Sequence, residues 1–501
     1  MIESYYNQIR KKENLRENLI DLRAALKQES KLEHGVRPEW DNQIFIDLLL
    51  NEDPKVRKNA ALILGELEVK EALEPLFTAY MGEETLYIRA DYLEAISKLD
   101  YLPVFPQLKL NYEELLQANV LEEAKKHYYE EMQILQKMIF EREPRQKPKF
   151  TELSKPVQVL VTTNRNHREL TAAQMPEGKK LLSGNGIKME TDQLRDLMKI
   201  RTMEEVLVIL PGCSNLKDTP REIAEGIIDS EIVSFLEGCH NQKAPFYFRV
   251  GIYGQFTLQE RSNLSKRIAM ELEMMSDQML RNSPGDYDFE LRCIPKKEGG
   301  YQVFLKLFTL ADHRFTYRKE FVATSLKPQS AALLVKLAEP FLKKDGQILD
   351  PFCGVGTLLL ERMKCVSAKE VYGLDIYGEA IEKAKINSVD IGANIHYINR
   401  DYYDFKHDYL FDEIITEFPA RGKMSRDEMD ELYEMFFNKS KEHLHNGGIL
   451  VISSNEVGFI KKYLRLNKEY RLLKEFMIDQ KQDIHEYILK YQVENDEKTG
   501  R

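Results

Sequence analysis

Asp350-Pro351-Phe352-Cys353-Gly354-Val355-Gly356-Thr357 is the stretch on which the fold turns. It follows the strand-like run Gln347-Ile348-Leu349 and opens a helical run over 357–364. An acid closes a strand, a Gly-x-Gly turn follows, and a helix begins. Two glycines there let a ligand come close to the backbone at the carboxyl end of a first strand. The third glycine of a pyrophosphate-binding turn is absent, because its position holds Leu359. NAD and FAD are therefore disfavoured, and without a GK[ST] sequence the turn is no P-loop. A ligand carrying adenosine but no pyrophosphate fits better.

Downstream, Asp375 follows Gly354 by 21 positions and ends the strand-like run Val371-Tyr372-Gly373-Leu374. An acid at that place suits the two hydroxyls of a ribose. Asp401 ends the next strand-like segment and is placed to accept from an adenine amino group. From about residue 330 strand and helix alternate. Helices are expected over 330–342, 357–364, 378–392 and 427–445, and strands over 347–350, 370–375, 395–398, 413–416 and 448–453. That alternation is the pattern of an α/β doubly wound, Rossmann-like sheet. Residues 470–491 read as two more strands at an antiparallel edge.

Upstream the periodicity differs. Strand-like runs at 157–161, 206–210, 246–250, 287–293 and 301–308 mix with amphipathic helices over 223–236 and 258–279. This is an α+β domain, taken as 157–318. Before it, residues 141–156 hold Pro144, Pro148 and Pro156 among charges and read as an exposed linker. Residues 1–140 read as helix after helix. Val56 to Leu67 lies over Ile88 to Leu99 without a gap, at an offset of 32, with the arginine and the closing leucine recurring. Asp53-Pro54 supplies a cap and an early proline. The segment resembles HEAT-like repeats, stacked helix pairs that offer an interaction surface to a protein partner. The expected division is a HEAT-like part at 1–140, a linker at 141–156, an α+β domain at 157–318, an α/β domain at 319–492 and a polar tail at 493–501.

The chain has 501 residues, with 72 Lys and Arg against 82 Asp and Glu, a net charge of −10. Global positive charge therefore does not hold it on nucleic acid, although a local basic patch could. Five cysteines fit no zinc pattern and contain no CxxC, which points to a reducing, cytoplasmic setting without a metal. Met1 to Tyr6 leads into charges rather than an apolar leader, and no run of about 18 apolar residues suits a membrane span.

Asp350 to Thr357 resembles motif I of class I S-adenosylmethionine-dependent methyltransferases. The variant is that of the THUMP-containing RNA guanine-N2 methyltransferases. Tyr317-Arg318 and Leu326 to Leu334 resemble that family's run into its catalytic domain, and 157–318, with Gly178-Lys179-Lys180, resembles a divergent THUMP region. The resemblance covers about residues 155–490. It implies S-adenosylmethionine as cofactor, held by Asp350, Phe352, Cys353, Gly354, Gly356, Asp375, Ile376 and Asp401. It also implies structured RNA, tRNA or rRNA rather than DNA, and methyl transfer to the exocyclic amine of a guanine.

One stretch departs from the family. After the fourth strand the family carries Asn or Asp, then Pro-Pro, then an aromatic. Here the stretch is Thr416-Glu417-Phe418-Pro419-Ala420. A guanine amine is a poor nucleophile, because its lone pair is delocalised into the ring. Acceptors for its hydrogens and a stacked base carry the catalysis by position and electrostatics. Glu417, Phe418 and Pro419 are the candidates for that work. Glu417 can accept from an amine. It is one bond longer than Asn, and the change from Pro to Phe418 is expected to let its backbone shift. Phe418 is expected to offer a stacking face, and Ala420 offers none.

Two alternatives stay open: a non-catalytic RNA-binding or assembly protein with a degenerate site, and a methyltransferase of an adenine, a protein or a small molecule. Cys353 lacks a basic neighbour that would make a thiolate nucleophile. His443 and His445 read as solvated residues at a helix end. Tyr402, Tyr403 and Phe405 read as either pocket floor or core, and Arg421 and Lys423 as phosphate contacts or plain surface.

Overall fold

In the computed structural model, which describes residues 2–29, 40–118, 123–184, 186–389, 391–392 and 394–493, the Gly-x-Gly turn caps a strand buried on both faces. The expected polar tail lies outside the described residues except for Val493. The chain divides into two compact units, residues 1–149 with 215–303, and residues 150–214 with 304–501.

The second unit holds the turn. Its strands are β1 (Gly346–Asp350), β2 (Ala368–Asp375), β3 (His396–Asn399), β4 (Phe411–Glu417), β5 (Leu444–Ser454), β6 (Tyr470–Asp479) and β7 (Ile484–Tyr491). They lie in the order β3-β2-β1-β4-β5-β7-β6. The first five are parallel, and β6 and β7 add the antiparallel edge that the sequence suggests. Alternation sorts the side chains onto two faces. Ile348, Ile415, Val451 and Ile488 pack towards helices α1 (Pro328–Ala338) and α2 (Thr357–Cys365). Leu349, Ile414, Leu450, Ile452 and Tyr487 pack towards α4 (Arg426–His443) and α5 (Val457–Leu466). Helix α3 (Gly378–Val389) links β2 to β3. The helix expected to reach residue 342 stops at Ala338, where Pro340 turns the chain into a 3-10 turn. Helix α5 was not foreseen.

Residues 150–214 add an antiparallel set to this unit. Val157–Thr163 lies between Gly186–Thr191 and Met203–Ile209. Two kinds of contact hold it. Asn164 donates to the carbonyl of Ile478 at 2.9 Å, at the β6–β7 hairpin. Arg201 donates to both oxygens of Glu361 on α2, at 2.7 and 2.6 Å. The neighbouring Arg362 is fully buried and meets Glu413 of β4 by two hydrogen bonds, at 2.8 and 2.9 Å.

Among the described residues up to Arg142 the first unit has helices and no strand, and Asp53 caps Pro54–Glu66 by accepting from the Lys55 amide at 2.8 Å. The recurring arginine makes one bond twice. Arg57 donates to the Asn51 carbonyl at 2.8 Å, and 32 residues later Arg89 donates to the Glu83 carbonyl at 2.9 Å. Each also pairs with a buried carboxylate, Glu83 or Glu131. Residues 144–149 carry no helix or strand, and Arg145 is pinned by Asp286 at 2.9 Å and Asp288 at 2.7 Å. Further on, strands Phe289–Pro295 and Leu280–Asn282 flank Phe246–Ile252 in parallel. The single helix expected over 223–236 is two, Pro220–Asp229 and Ile232–Cys239, broken where Glu231 takes φ 58°. The helix expected over 258–279 ends at Met275, before Asp277 and Gln278 at positive φ. Among the described residues no helix is long and apolar enough to cross a membrane.

The Arg362–Glu413 pair sets a stability test. Arg362→Ala strands a buried carboxylate and should cost about 3–5 kcal/mol, whereas Arg362→Met with Glu413→Leu should recover most of that. Urea unfolding of the full chain reads both. Equal losses in the single and double variants would count against the pair.

Candidate functional site

The site grows from the end of β1. Asp350 is 1% exposed and accepts from the Thr416 hydroxyl at 2.7 Å and the Phe352 amide at 3.1 Å. Burial pushes its pKa up to about 7, and the charges of Asp375 and Glu417 add to the shift. Gly354 takes φ +54°, with nothing within 4 Å of where a Cβ would stand, so the space over the turn is open. Gly356 takes φ +79°, and a Cβ there would lie 2.2 Å from the Tyr397 hydroxyl. Only glycine meets both demands at that position.

Asp375 closes β2 beside the turn. One oxygen accepts from the Gly354 amide at 2.9 Å and the other from the Tyr377 amide at 2.8 Å. Each carboxylate oxygen keeps a further lone pair for a ligand hydroxyl. Next to it Ile376 is 74% and Tyr377 52% exposed, an apolar ledge in the open. Asp401 is exposed and accepts from the Tyr403 amide at 2.9 Å, so it caps the turn Tyr402–Asp404. Phe352 is half-buried and meets Phe418 edge-on at 5.4 Å.

Glu417 ends β4. It is half-buried, and its carboxylate has no hydrogen bond among the described residues. Burial pushes it up to about 7. A carboxyl group near its midpoint at neutral pH, at the carboxyl edge of a parallel sheet, can take a proton or accept a hydrogen bond.

With this geometry in place, comparison with known proteins gives a family. Residues 316–484 match the RMKL-like methyltransferase domain. The likeness is to this segment alone, about a third of the chain. A curated relative is the tRNA (guanine(10)-N2)-dimethyltransferase of Methanothermobacter thermautotrophicus, 28% identical over 140 residues. That match takes in 27% of this chain and 40% of the relative's length. Among solved structures, TrmN from Thermus thermophilus aligns with TM-score 0.50 at 18% identity, over 67% of this chain and 100% of that one. A predicted N6-adenine-specific DNA methylase from Listeria monocytogenes str. 4b F2365 aligns with TM-score 0.50 at 15% identity, over 67% of this chain and 96% of that one. At such identities the likeness speaks for the fold.

The methyltransferase domain implies S-adenosylmethionine as cofactor, and the residues present fit it. Open space lies over Gly354, an acid stands at the β2 end, and an apolar ledge follows that acid.

Three expectations are corrected. Phe418 offers no stacking face, because its ring is 5% exposed and lies on Tyr433 at 4.1 Å within the core. Its backbone is not displaced either, since the Phe418 amide donates to the Ser453 carbonyl at 2.8 Å and so continues the β4–β5 ladder. His443 is not solvated. It is 3% exposed, and burial lowers its pKa to about 4. Tyr402 and Phe405 are core, Tyr403 donates to the Leu432 carbonyl at 3.1 Å, and Cys353 is buried with its thiol pushed well up. Pro419 is half-buried, while Ala420, Arg421 and Lys423 are exposed.

One residue escaped the sequence reading. Asn387 is fully buried, accepts from the Lys319 and Glu320 amides at 3.0 and 2.9 Å, and donates to the Val355 carbonyl at 3.2 Å. It ties the entry of the domain to the Gly-x-Gly turn. Only a buried amide in helix α3 signals it, and burial is not visible in sequence.

Asp350 has a measurable consequence. Its folded pKa stands above the ordinary carboxylate value of about 3.9, so the folded state binds the proton more tightly. That contribution to stability is present below about pH 4 and is lost as pH rises through about 7. Asp350→Asn removes the titration and keeps an acceptor for both bonds. Its melting temperature relative to wild type should therefore climb from pH 4 to about 7 and then level. A difference flat in pH would refute the assignment.

Proposed function

We propose that this chain is an S-adenosylmethionine-dependent RNA methyltransferase acting on the exocyclic amine of a guanine in tRNA or rRNA. The unpartnered, half-buried carboxylate of Glu417 beside the Gly-x-Gly turn carries the reading. Asp375 would hold the ribose hydroxyls and Ile376 the adenine face. Asp401 would stand by the adenine amine, and Asp350, Phe352, Cys353, Gly354 and Gly356 would shape the turn. Pro419 would close the substrate side. When bound, S-adenosylmethionine supplies an electrophilic methyl group on a positively charged sulfur.

This chain's residues then have two tasks. Glu417 accepts a hydrogen bond from the amine, which raises electron density on nitrogen as the N–C bond forms and the C–S bond breaks. It afterwards takes the proton that the nitrogen sheds, and the departing sulfur keeps the electron pair of the C–S bond. The sequence likeness to a tRNA guanine-N2 enzyme supports guanine as the base. Residues 157–318 would present structured RNA as a THUMP-like region, and residues 1–140 would offer a HEAT-like surface for RNA or a protein partner, in the cytoplasm. A non-catalytic RNA-binding module is the second reading. It draws on exposed Ala420, where the resembling family has an aromatic.

Two measurements test the proposal. Asp375→Ala should lose two charge-assisted bonds and weaken S-adenosylhomocysteine roughly a hundredfold, about 3 kcal/mol, by calorimetry. Unchanged affinity would remove the ribose role. Single-turnover transfer of labelled methyl to whole RNA from a gene-deleted strain should fall about 10²–10³-fold in Glu417→Ala, with cofactor affinity kept. The wild-type rate should rise with pH through about 7, because the ionised carboxylate is the acceptor, and Glu417→Gln should flatten that rise. No transfer by wild type to any RNA would favour the non-catalytic module.

A further inference from the structure

The loop that leads into α1 carries two side chains that the site above leaves unused. Residues 311–327 form no helix or strand, yet their backbone is held at several points. The Tyr317 hydroxyl donates to Glu361 of α2 at 2.5 Å. The Lys319 and Glu320 amides donate to Asn387 of α3, which in turn donates to the Val355 carbonyl of the Gly-x-Gly turn. The Phe321 carbonyl accepts from Lys383 of α3 at 3.0 Å. Arg318 and Phe321 therefore stand on a loop fixed on both sides to the elements that frame the turn.

Arg318 is half-buried, and its Nε is shielded from solvent without a hydrogen-bond partner. Among the described residues its guanidinium meets no carboxylate. It lies over the Phe321 ring instead, 5.8 Å from the ring centre and within cation–π range. Burial lowers its pKa, yet a guanidinium keeps its charge at neutral pH. A partly desolvated cation without a counter-ion costs folding free energy, and an anion that pairs with it recovers part of that cost.

Phe321 is 64% exposed and Tyr377 52%, the two most exposed aromatic rings among the described residues. A single exposed ring is ordinary. These two are joined by contacts. Lys383, which holds the Phe321 carbonyl, pairs with Glu379 at 2.7 Å, and Glu379 accepts from the Tyr377 hydroxyl at 2.6 Å. Tyr377 stands two residues after Asp375, so three contacts bring Phe321 to the rim of the cofactor site. From Arg318 to Lys327 the loop holds Arg318, Lys319 and Lys327 against Glu320 alone, in a chain of net charge −10. A cation without a counter-ion beside an open ring, on a locally positive loop, matches a strand of nucleic acid: phosphate to guanidinium, base to ring.

We propose that Arg318 and Phe321 form an RNA subsite at the rim of the cofactor site, where the guanidinium takes a backbone phosphate and the Phe321 ring stacks a base other than the acceptor guanine. This rests on the RNA-methyltransferase reading above and adds to it where the strand is held.

The test uses the full chain and labelled tRNA from the gene-deleted strain, with filter retention at several salt concentrations, S-adenosylhomocysteine affinity and melting temperature read together. Arg318→Ala should weaken tRNA binding roughly tenfold. It should also reduce the slope of log affinity against log salt by about 0.7–0.9, the share of one phosphate contact. Arg318→Lys keeps the charge and should keep the wild-type slope. Phe321→Ala should weaken binding roughly tenfold with the slope unchanged, and Phe321→Tyr should restore it. Cofactor affinity should hold throughout. Wild-type affinity in both alanine variants, or a loss in Arg318→Ala with no change of slope, would overturn the subsite. A loss of S-adenosylhomocysteine affinity in Arg318→Ala with tRNA binding intact would overturn it too, because the anion would then be the cofactor's own carboxylate. Should Arg318→Ala not fold, Phe321→Ala decides, since its ring is exposed: wild-type tRNA affinity there overturns the subsite. No retention of tRNA by wild type overturns it as well. If wild type retains tRNA yet transfers no methyl, the guanine-methylating reading falls, and the same variants still decide the subsite.

Discussion

Two consecutive buried charges on one helix hold the second unit in register. Helix α2 begins at the Gly-x-Gly turn and carries Glu361 and Arg362, which are 2% and 0% exposed. Adjacent helical residues point about 100° apart, so the two reach different walls. Arg362 meets Glu413 at the start of β4 and donates to the carbonyls of Lys343 and Val366. Glu361 meets Arg201 and accepts from the Tyr317 hydroxyl at 2.5 Å. Buried pairs of this kind stabilise little against apolar replacements, but a broken one is severe. Their effect is on register. Glu413 and Glu417 lie four residues apart on one strand, about 13 Å. Fixing the first to α2 therefore fixes the height of the second relative to the turn that α2 begins.

The rim above this frame is rich in acids. Asp350, Asp375, Glu417 and Glu486 end or flank β1, β2, β4 and β7, and burial raises three of them. Burial makes ionisation costly, and each neighbouring negative charge adds to that cost. A cation brought near would act in the opposite sense and favour the ionised forms. A positively charged sulfur beside Glu417 would thus turn a half-neutral acid into an acceptor when the donor is in place. Substrate activation and donor binding would then be linked through one carboxyl group.

The glycine turn was legible because its need is local. Positive φ and close approach select glycine whatever the rest of the chain does. The central strands were legible because burial on both faces leaves unbroken apolar runs. The repeated arginine was legible because the same bond recurs 32 residues on. What failed depends on contacts between distant segments. Nothing local marks Glu361 and Arg362 of α2 as buried before Arg201 and Glu413 are brought to them. His443 and Phe418 read as polar end and substrate ring until α4 closes over β4. The pairing of Ser453 in β5 with the buried Glu486 needs the register of β7, which no local pattern fixes. The break at Glu231 was missed because a non-glycine residue there adopts a left-handed conformation.

The departure at Phe418 follows from the ladder rather than from the substrate. Where the resembling family has proline, no backbone N–H exists, and the β4–β5 ladder must stop. Phe418 has one and donates it to Ser453, so pairing runs one residue beyond Glu417. The ring then turns inward onto Tyr433 and edge-on to Phe436, and the strand end is anchored in the core. Glu417 consequently sits within the sheet rather than in the loop after it. For the base that the proposed function takes as substrate, exposed Ala420 offers no ring to stack on, where the resembling family has an aromatic.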